Sequence, residues 1–229
     1  MNNAFAGRPD LAAVSHVDVW IFDLDNTLYP ARCNLFQQID RRMGEFIAEL
    51  LAVSYDEAKL VQKSFWRQHG TTLRGLMLEH AVPPDAFLDY VHKIDLSVLP
   101  ESPELAEALD RLPGRKMIFT NGTKRHAERV TRRLGIHDRF EAVFDIIDSE
   151  YLPKPNPLPY DVLIARHGVD PKRAVMVEDI ARNLGPAHTL GMTTVWVPTE
   201  SPSSREGAED GHIHYVTPDL ANWLIELTG

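Results

Sequence analysis

Apolar and polar positions along the chain follow three successive rhythms. The run from Val17 to Asp23 is apolar almost throughout, as in a strand covered on both faces of a parallel sheet. After Pro30, Leu35, Ile39, Met43, Phe46 and Leu50 recur at helical spacing, with Phe36 and Ile47 widening the stripe. Ser54 and Glu57 predict a capping box that opens a second helix, burying Leu60, Val61 and Phe65 and stopping near Gly70. Two shorter helical stretches, Leu73 to His80 and Asp85 to Lys93, complete a segment with no strand candidate.

From Ser102 onward strand and helix alternate. Ser102-Pro103 opens a helix that ends at Pro113-Gly114. The stretches KMIFTNG (Lys116 to Gly122), AVFDII (Ala142 to Ile147), AVMVED (Ala174 to Asp179) and TTVWVP (Thr193 to Pro198) read as strands, and a short one near His214 to Thr217 precedes a closing helix. This alternation predicts an α/β fold with a doubly wound parallel sheet. An all-helical domain interrupts it after the first strand: residues 1–31 and 99–229 form the Rossmann-like core and 32–98 the insert. The polar stretch Glu200 to His212 predicts a mobile surface loop.

Composition narrows the class. The 229 residues are 44% hydrophobic and 25% charged, as in a globular protein. A net charge of -9 argues against a nucleic-acid polymer as partner, which needs a broad basic surface. It leaves room for a small phosphorylated metabolite in a local positive pocket. Cys33 is the single cysteine, which rules out an internal disulfide and suits a reducing compartment. The amino-terminal MNNAFAGRPDLAAVSH lacks the apolar core of a signal peptide, and no run approaches the ~20 apolar residues of a membrane span. The expectation is a soluble, cytoplasmic protein without a membrane partner.

In an open parallel sheet ligands bind at the carboxyl ends of the strands. Those ends carry Asp23-Leu24-Asp25, Thr120-Asn121-Gly122, Lys154 between two prolines, and Glu178-Asp179 followed by Asn183. Two aspartates crowded together need compensation. A carboxylate can attack phosphorus, and a second acid two residues on can protonate the leaving oxygen and then deprotonate water. Magnesium, a hard ion, would be held by carboxylates, and Thr120 and Lys154 would hold the phosphoryl oxygens.

DLDNT, FTNGT, PKP and VEDIARN, in this order, resemble the four motifs of the haloacid dehalogenase-like hydrolase superfamily over residues 17 to about 197. The helical insert resembles that superfamily's α-helical cap. FDLDNTLYP and EDIARNLGPAHTLGMTTVWV are similar to its pyrimidine 5′-nucleotidase branch. The resemblance implies a phosphoric monoester hydrolase with Asp23 as nucleophile and Asp25 as general acid and base. It implies magnesium on Asp23, the Asp25 carbonyl and Asp179, and phosphate on Thr120 and Lys154 with Asn121 assisting. Members often carry Gly-Asp or Asp-Asp where this chain has Glu178-Asp179, so Glu178 stays open as a ligand through water. Asn183 would orient the lysine or the metal site.

Each residue also has a plainer reading. Thr120-Asn121-Gly122 is an ordinary turn sequence, and Lys154 resembles any loop lysine. The basic run Lys124 to Arg133 reads as a solvated helix face apart from its first turn. His212 and His214 read as exposed. Arg74, at a helix start in the insert, either reaches over the site to the substrate or makes a surface salt bridge. Three rival functions remain. A dehalogenase needs neither Asp25 nor magnesium, a sugar-phosphate phosphatase or phosphomutase uses the same residues, and a non-catalytic module would be expected to have lost one of them.

Overall fold

The first strand, β1 (Val19–Phe22), is buried at all four positions. Trp20 and Phe22 enter one apolar core and Val19 and Ile21 the other, the two-residue alternation of a strand covered on both faces. A computed structural model describes residues 14–228. Residues 1–13, the start of the core and of the stretch read for a signal peptide, lie outside the described residues. The remaining strands are β2 (Arg115–Phe119), β3 (Ala142–Phe144), β4 (Ala174–Glu178), β5 (Thr193–Trp196) and β6 (Tyr215–Val216). They form one parallel sheet in the order β3-β2-β1-β4-β5-β6. The order reverses beside β1, and the crevice at the carboxyl ends of β1, β2 and β4 is where such sheets bind ligands.

Between β1 and β2 lie the cap helices α1 (Leu35–Leu51), α2 (Tyr55–His69), α3 (Thr72–His80) and α4 (Pro84–Val91). The core helices are α5 (Pro103–Arg111), α6 (Lys124–Leu134), α7 (Pro157–His167), α8 (Leu184–Thr189) and α9 (Leu220–Thr228). Helices α5, α6 and α9 cover the Trp20 side of the sheet, and α7 and α8 cover the other. The core on the Trp20 side continues through Leu24, Leu28 and Tyr29 into the cap residues Leu35, Ile39 and Phe65. Among the described residues no helix is long and apolar enough to cross a membrane.

The capping box forms as its sequence predicts: Ser54 Oγ accepts from the Glu57 N–H, and Glu57 Oε2 accepts from the Ser54 N–H at 2.9 Å. Gly70, with φ of 84°, ends the helix in a conformation that favours glycine. The apolar face of α2 departs from expectation. Leu60 is 68% exposed, and the buried stripe is Ala58, Gln62 and Phe65. Gln62 is tolerated there because its amide donates to Asp40 Oδ1 (2.8 Å) and accepts from Lys59 Nζ (2.8 Å). In α1 the contact line runs through Leu35, Ile39, Gly44 and Ile47, leaving Phe36 and Leu50 exposed. Gly44 sets this line, since a Cβ there would lie 2.8 Å from the Tyr55 ring.

Two further expectations change. Strand β3 stops at Phe144 because the Asp145 carboxylate accepts from the N–H groups of Lys124, Ile147 and Asp148 and turns the chain out of the sheet. The Glu200 to His212 stretch is tied down, with Ser204 and His212 buried. Ser204 Oγ donates to the Asp179 carbonyl, and His212 Nε2 donates to the Ala181 carbonyl at 2.7 Å. Those carbonyls leave the end of β4 without ladder partners and are satisfied from this loop.

Candidate active site

Asp23 leaves β1 with its N–H still bonded to the Val177 carbonyl, at 2.9 Å, so the sheet itself fixes its position. Its Oδ1 accepts from Lys154 Nζ at 2.7 Å and its Oδ2 from Thr27 Oγ1 at 3.0 Å. Lys154 is buried, and its ammonium also meets the Phe119 carbonyl (2.8 Å) and Glu178 Oε1 (2.9 Å), one partner for each of its three protons. Burial opposes its charge, but Asp23 and Glu178 outweigh it and push the lysine above its usual range.

Glu178 ends β4. Asn183 Nδ2 donates to its Oε1 (2.6 Å) and the Ile180 N–H to its Oε2 (2.8 Å). Burial disfavours its charge, yet Lys154 and these donors hold it below the ordinary carboxylate range. Asp23, Glu178 and Asp179 each bring one buried oxygen to within 4.8 Å of the others. The crowding registers on two of them. Burial, then the charge of Glu178, lift Asp23 to about 7 against the pull of Lys154. The same two causes, followed by Asp23, raise Asp179 well above its usual value. Three carboxylates facing one ammonium leave excess negative charge, and an all-oxygen donor set fits a hard divalent cation such as magnesium.

Asp25 faces elsewhere. Its Oδ1 accepts from Tyr29 OH (2.6 Å) and His126 Nε2 (2.9 Å), apart from the acidic group. Burial raises its pKa, but His126 and the two hydrogen bonds more than offset that and lower it. Thr120 is buried, with Oγ1 accepting from the Gly122 N–H at 2.9 Å. A Cβ at Gly122 would sit 3.3 Å from Thr120 Oγ1 and 3.7 Å from Asp25 Oδ2, so the glycine leaves the space between them open. Asn121 braces the lysine loop: its Oδ1 accepts from the Lys154 N–H at 2.9 Å. Asn183 holds Glu178, and its carbonyl accepts from Tyr160 OH at 2.6 Å.

The structure thus brings Asp23, Asp25, Thr120, Asn121, Lys154, Glu178, Asp179 and Asn183 to one crevice. Arg74, half-buried on the first turn of α3, makes no side-chain hydrogen bond or ion pair among the described residues, so the surface salt bridge does not form. The cap meets the rim at other places. Gly70 lies against Pro153, and the Arg182 guanidinium stacks 3.9 Å from the centre of the Trp66 ring.

Sequence reading missed Thr27, Tyr29 and His126. The first two follow Asp23 and Asp25 by four residues, a helical spacing that could have paired them once the turn was recognised. His126 lies in the first turn of the basic run and carried no signal of its own. Two arginines of that run are also engaged: Arg129 donates to the carbonyl of His92 (2.8 Å) and Arg133 to that of Leu96 (3.3 Å). A hollow at the opposite end of the sheet, between Val14, Trp20, Leu112 and Leu227, offers no comparable chemistry.

A parallel sheet with this strand order, a helical insert after β1, and carboxylates and a lysine at its strand ends define a hydrolase of one class. The haloacid dehalogenase-like hydrolase family model matches residues 17–191, and the chain belongs to that family. Phosphate metabolism protein 8 of Saccharomyces cerevisiae is 28% identical over 192 residues, which are 76% of this chain and 59% of that protein. The chain therefore spans about three-fifths of that relative's length. A haloacid dehalogenase-like phosphatase from Thermococcus onnurineus superposes with a TM-score of 0.61 at 23% identity, over 92% of this chain and 96% of that one. L-2-haloacid dehalogenase from Xanthobacter autotrophicus superposes with a TM-score of 0.54 at 19% identity, over 93% and 99%. Such likeness shows the fold alone, and it embraces a phosphatase and a dehalogenase. The choice between them falls to the side chains.

Proposed function

We propose that the protein is a magnesium-dependent phosphatase that hydrolyses a small phosphate monoester, with a pyrimidine nucleoside 5′-monophosphate as its substrate class. The observation that carries this reading is the second carboxylate. Asp25 sits two residues from Asp23 but is held apart from the acidic group by Tyr29 and His126. A dehalogenase has no use for such an acid, whereas ester hydrolysis must protonate a leaving oxygen.

In the proposed reaction an Asp23 carboxylate oxygen attacks phosphorus, and the bond from phosphorus to the leaving oxygen breaks as the aspartyl-phosphate forms. Asp25 gives its proton to that leaving oxygen. It then takes a proton from water, which attacks the aspartyl-phosphate, releases phosphate and restores Asp23. Asp25 is ionised in the free protein, and the negative charge of an arriving phosphate favours its protonated form. Lys154 and Thr120 would hold phosphoryl oxygens. Asp23, Asp179 and the Asp25 carbonyl would hold magnesium, with Glu178 already committed to Lys154 and Asn183. When bound, the cation would neutralise charge between the carboxylates and the phosphate.

The nucleotide assignment rests on the likeness of FDLDNTLYP and EDIARNLGPAHTLGMTTVWV to the pyrimidine 5′-nucleotidase branch. The unengaged Arg74 guanidinium of the cap is the group proposed to meet the substrate beyond its phosphate. A cytoplasmic location is proposed from the single cysteine, and a nucleic-acid polymer is not a partner on this reading. The test is phosphate release from pyrimidine and purine 5′-monophosphates, sugar phosphates and phosphoglycolate, with magnesium and with chelator. Magnesium-dependent preference for pyrimidine monophosphates is expected. Preference for sugar phosphates would keep the chemistry and discard the substrate, and no release from any ester would end the phosphatase reading.

A further inference from the structure

His126 is a buried side chain at the site that the reaction above does not use. Its ring nitrogen Nε2 lies 2.9 Å from Asp25 Oδ1, and an ionised carboxylate only accepts, so Nε2 carries the proton. The other nitrogen, Nδ1, is buried with no partner. A buried polar atom left unpaired is destabilising, and an apolar ring would fill this space without that penalty. Filling this space therefore gives no reason for a histidine here. What imidazole adds over an apolar ring is one directed N–H, aimed at Asp25.

That bond has a geometric consequence. Tyr29 OH and His126 Nε2 both engage Oδ1, and no hydrogen bond among the described residues reaches Oδ2. Oδ2 borders the space that Gly122, by lacking a side chain, leaves between Thr120 Oγ1 and the His126 ring. Two donors on one oxygen thus fix the rotamer that presents the other oxygen to that space. On its far face the His126 ring is stacked on His92, with centroids 4.4 Å apart and planes within 5°. His92 ends the last cap helix, and α6 grips it through Arg129 on its carbonyl (2.8 Å) and Thr123 Oγ1 at 3.4 Å from Nδ1.

We infer that His126 is a positioning residue for proton transfer by Asp25, and that His92 ties this orientation to the seating of the cap. The inference deepens the phosphatase reading and rests on it. Proton donation matters for an alkyl ester, whose alkoxide is a poor leaving group. It matters little for p-nitrophenyl phosphate, whose phenolate leaves without a proton. The experiment compares KM and the first-turnover rate of leaving-group release, the step in which Asp25 acts as acid, on these two substrates, a nucleoside monophosphate serving as the alkyl ester, for wild type, His126→Phe and His126→Gln.

His126→Phe keeps the stack on His92 and loses the donor, and first-turnover release from the alkyl ester should fall by roughly 10–100-fold with little change in KM. The fall on p-nitrophenyl phosphate should be at most about threefold, which also shows that the variant is folded. His126→Gln, which restores an N–H, should recover much of the alkyl activity. His92→Ala should produce a smaller loss with the same bias toward the alkyl ester. Equal losses on both substrates, or none, would overturn the inference.

A second measurement needs no turnover. The Nε2 proton of His126 should appear in the imidazole region of the NMR spectrum, shift in Asp25→Asn and vanish in His126→Phe. Its insensitivity to Asp25→Asn would contradict the contact. Failure of the wild type on every ester would instead count against the phosphatase reading, and the spectrum would still decide whether His126 holds Asp25.

Discussion

Two aspartates separated by one leucine end in pockets of opposite character. Asp23 shares a buried space with Glu178 and Asp179, and burial plus like charge lift it to about 7 in spite of Lys154. Asp25 is only partly buried, and His126 and Tyr29 donate to it and lower its pKa. The Asp25 carboxylate finds its donors within the chain, while the Asp23 pocket sets three carboxylates against a single ammonium. In the proposed reaction the nucleophile must be ionised and the acid must be protonated, so each pocket needs something the chain does not supply. A cation would ionise Asp23, and a substrate phosphate would protonate Asp25.

The comparison can be broken most severely at Asp23. Asp23→Asn should lower turnover by at least about a thousandfold while leaving the circular dichroism spectrum unchanged, and retention of a tenth of the activity would remove Asp23 from its role. Next comes Lys154→Met, which strands Asp23 and Glu178 without their shared partner. Removing one member of a buried ion pair should destabilise by about 3–5 kcal/mol, read from urea unfolding.

Magnesium sharpens the same contrast. At about 100 times its Kd it should stabilise the wild type by about 2.7 kcal/mol, and Asp179→Asn should remove most of that gain while Asp25→Asn, beyond its own baseline, leaves more of it. Because Asp23 is lifted to about 7 and Asp179 is raised as well, cation binding at pH 6.5 should release protons, and the Asp23 share of that release should fade above about pH 8. Calorimetry in buffers of different ionisation enthalpy checks this.

A smaller effect lies at His92, where burial, then the neighbouring His126 and Arg129, lower the pKa from 6.5 to about 3. A depressed folded-state pKa means stability that is present above 6.5 and lost as pH falls toward 3. Between pH 7.5 and 5.5 the wild type should lose about 1.4 kcal/mol more than His92→Phe, measured by urea unfolding at both values. The smallest change is expected at Leu60, whose replacement by lysine on the exposed face of α2 should move stability by no more than about 0.5 kcal/mol.

The Asp23 pocket was legible in the sequence because its parts are strand ends. Apolar runs locate the strands, parallel topology brings their carboxyl ends together, and Asp23, Glu178 and Asp179 then meet, with Lys154 reaching them from the segment after β3. The capping box of α2 was equally legible, since Ser54 and Glu57 act locally. The Asp25 pocket was not, because its donor His126 reaches Asp25 across 101 residues and sits in a run whose charge suggests a solvated face. The cap's faces were misjudged for a related reason. Gly44 lets α2 approach α1 closely, and that contact, invisible to periodicity, turns Leu60, Phe36 and Leu50 toward solvent. Ser204 and His212 were likewise read as loop residues, although they donate to the carbonyls that end β4.

The most direct test of the central claim is to trap the covalent intermediate. Wild-type protein would be mixed with a nucleoside 5′-monophosphate and magnesium, quenched in acid within one turnover, digested and examined by mass spectrometry. The account predicts one phosphoryl group on the peptide spanning β1, located at Asp23, that disappears when the reaction runs to completion before quenching. Phosphate released with Asp23 unmodified at every time point, or a phosphoryl group on Asp25, would contradict it.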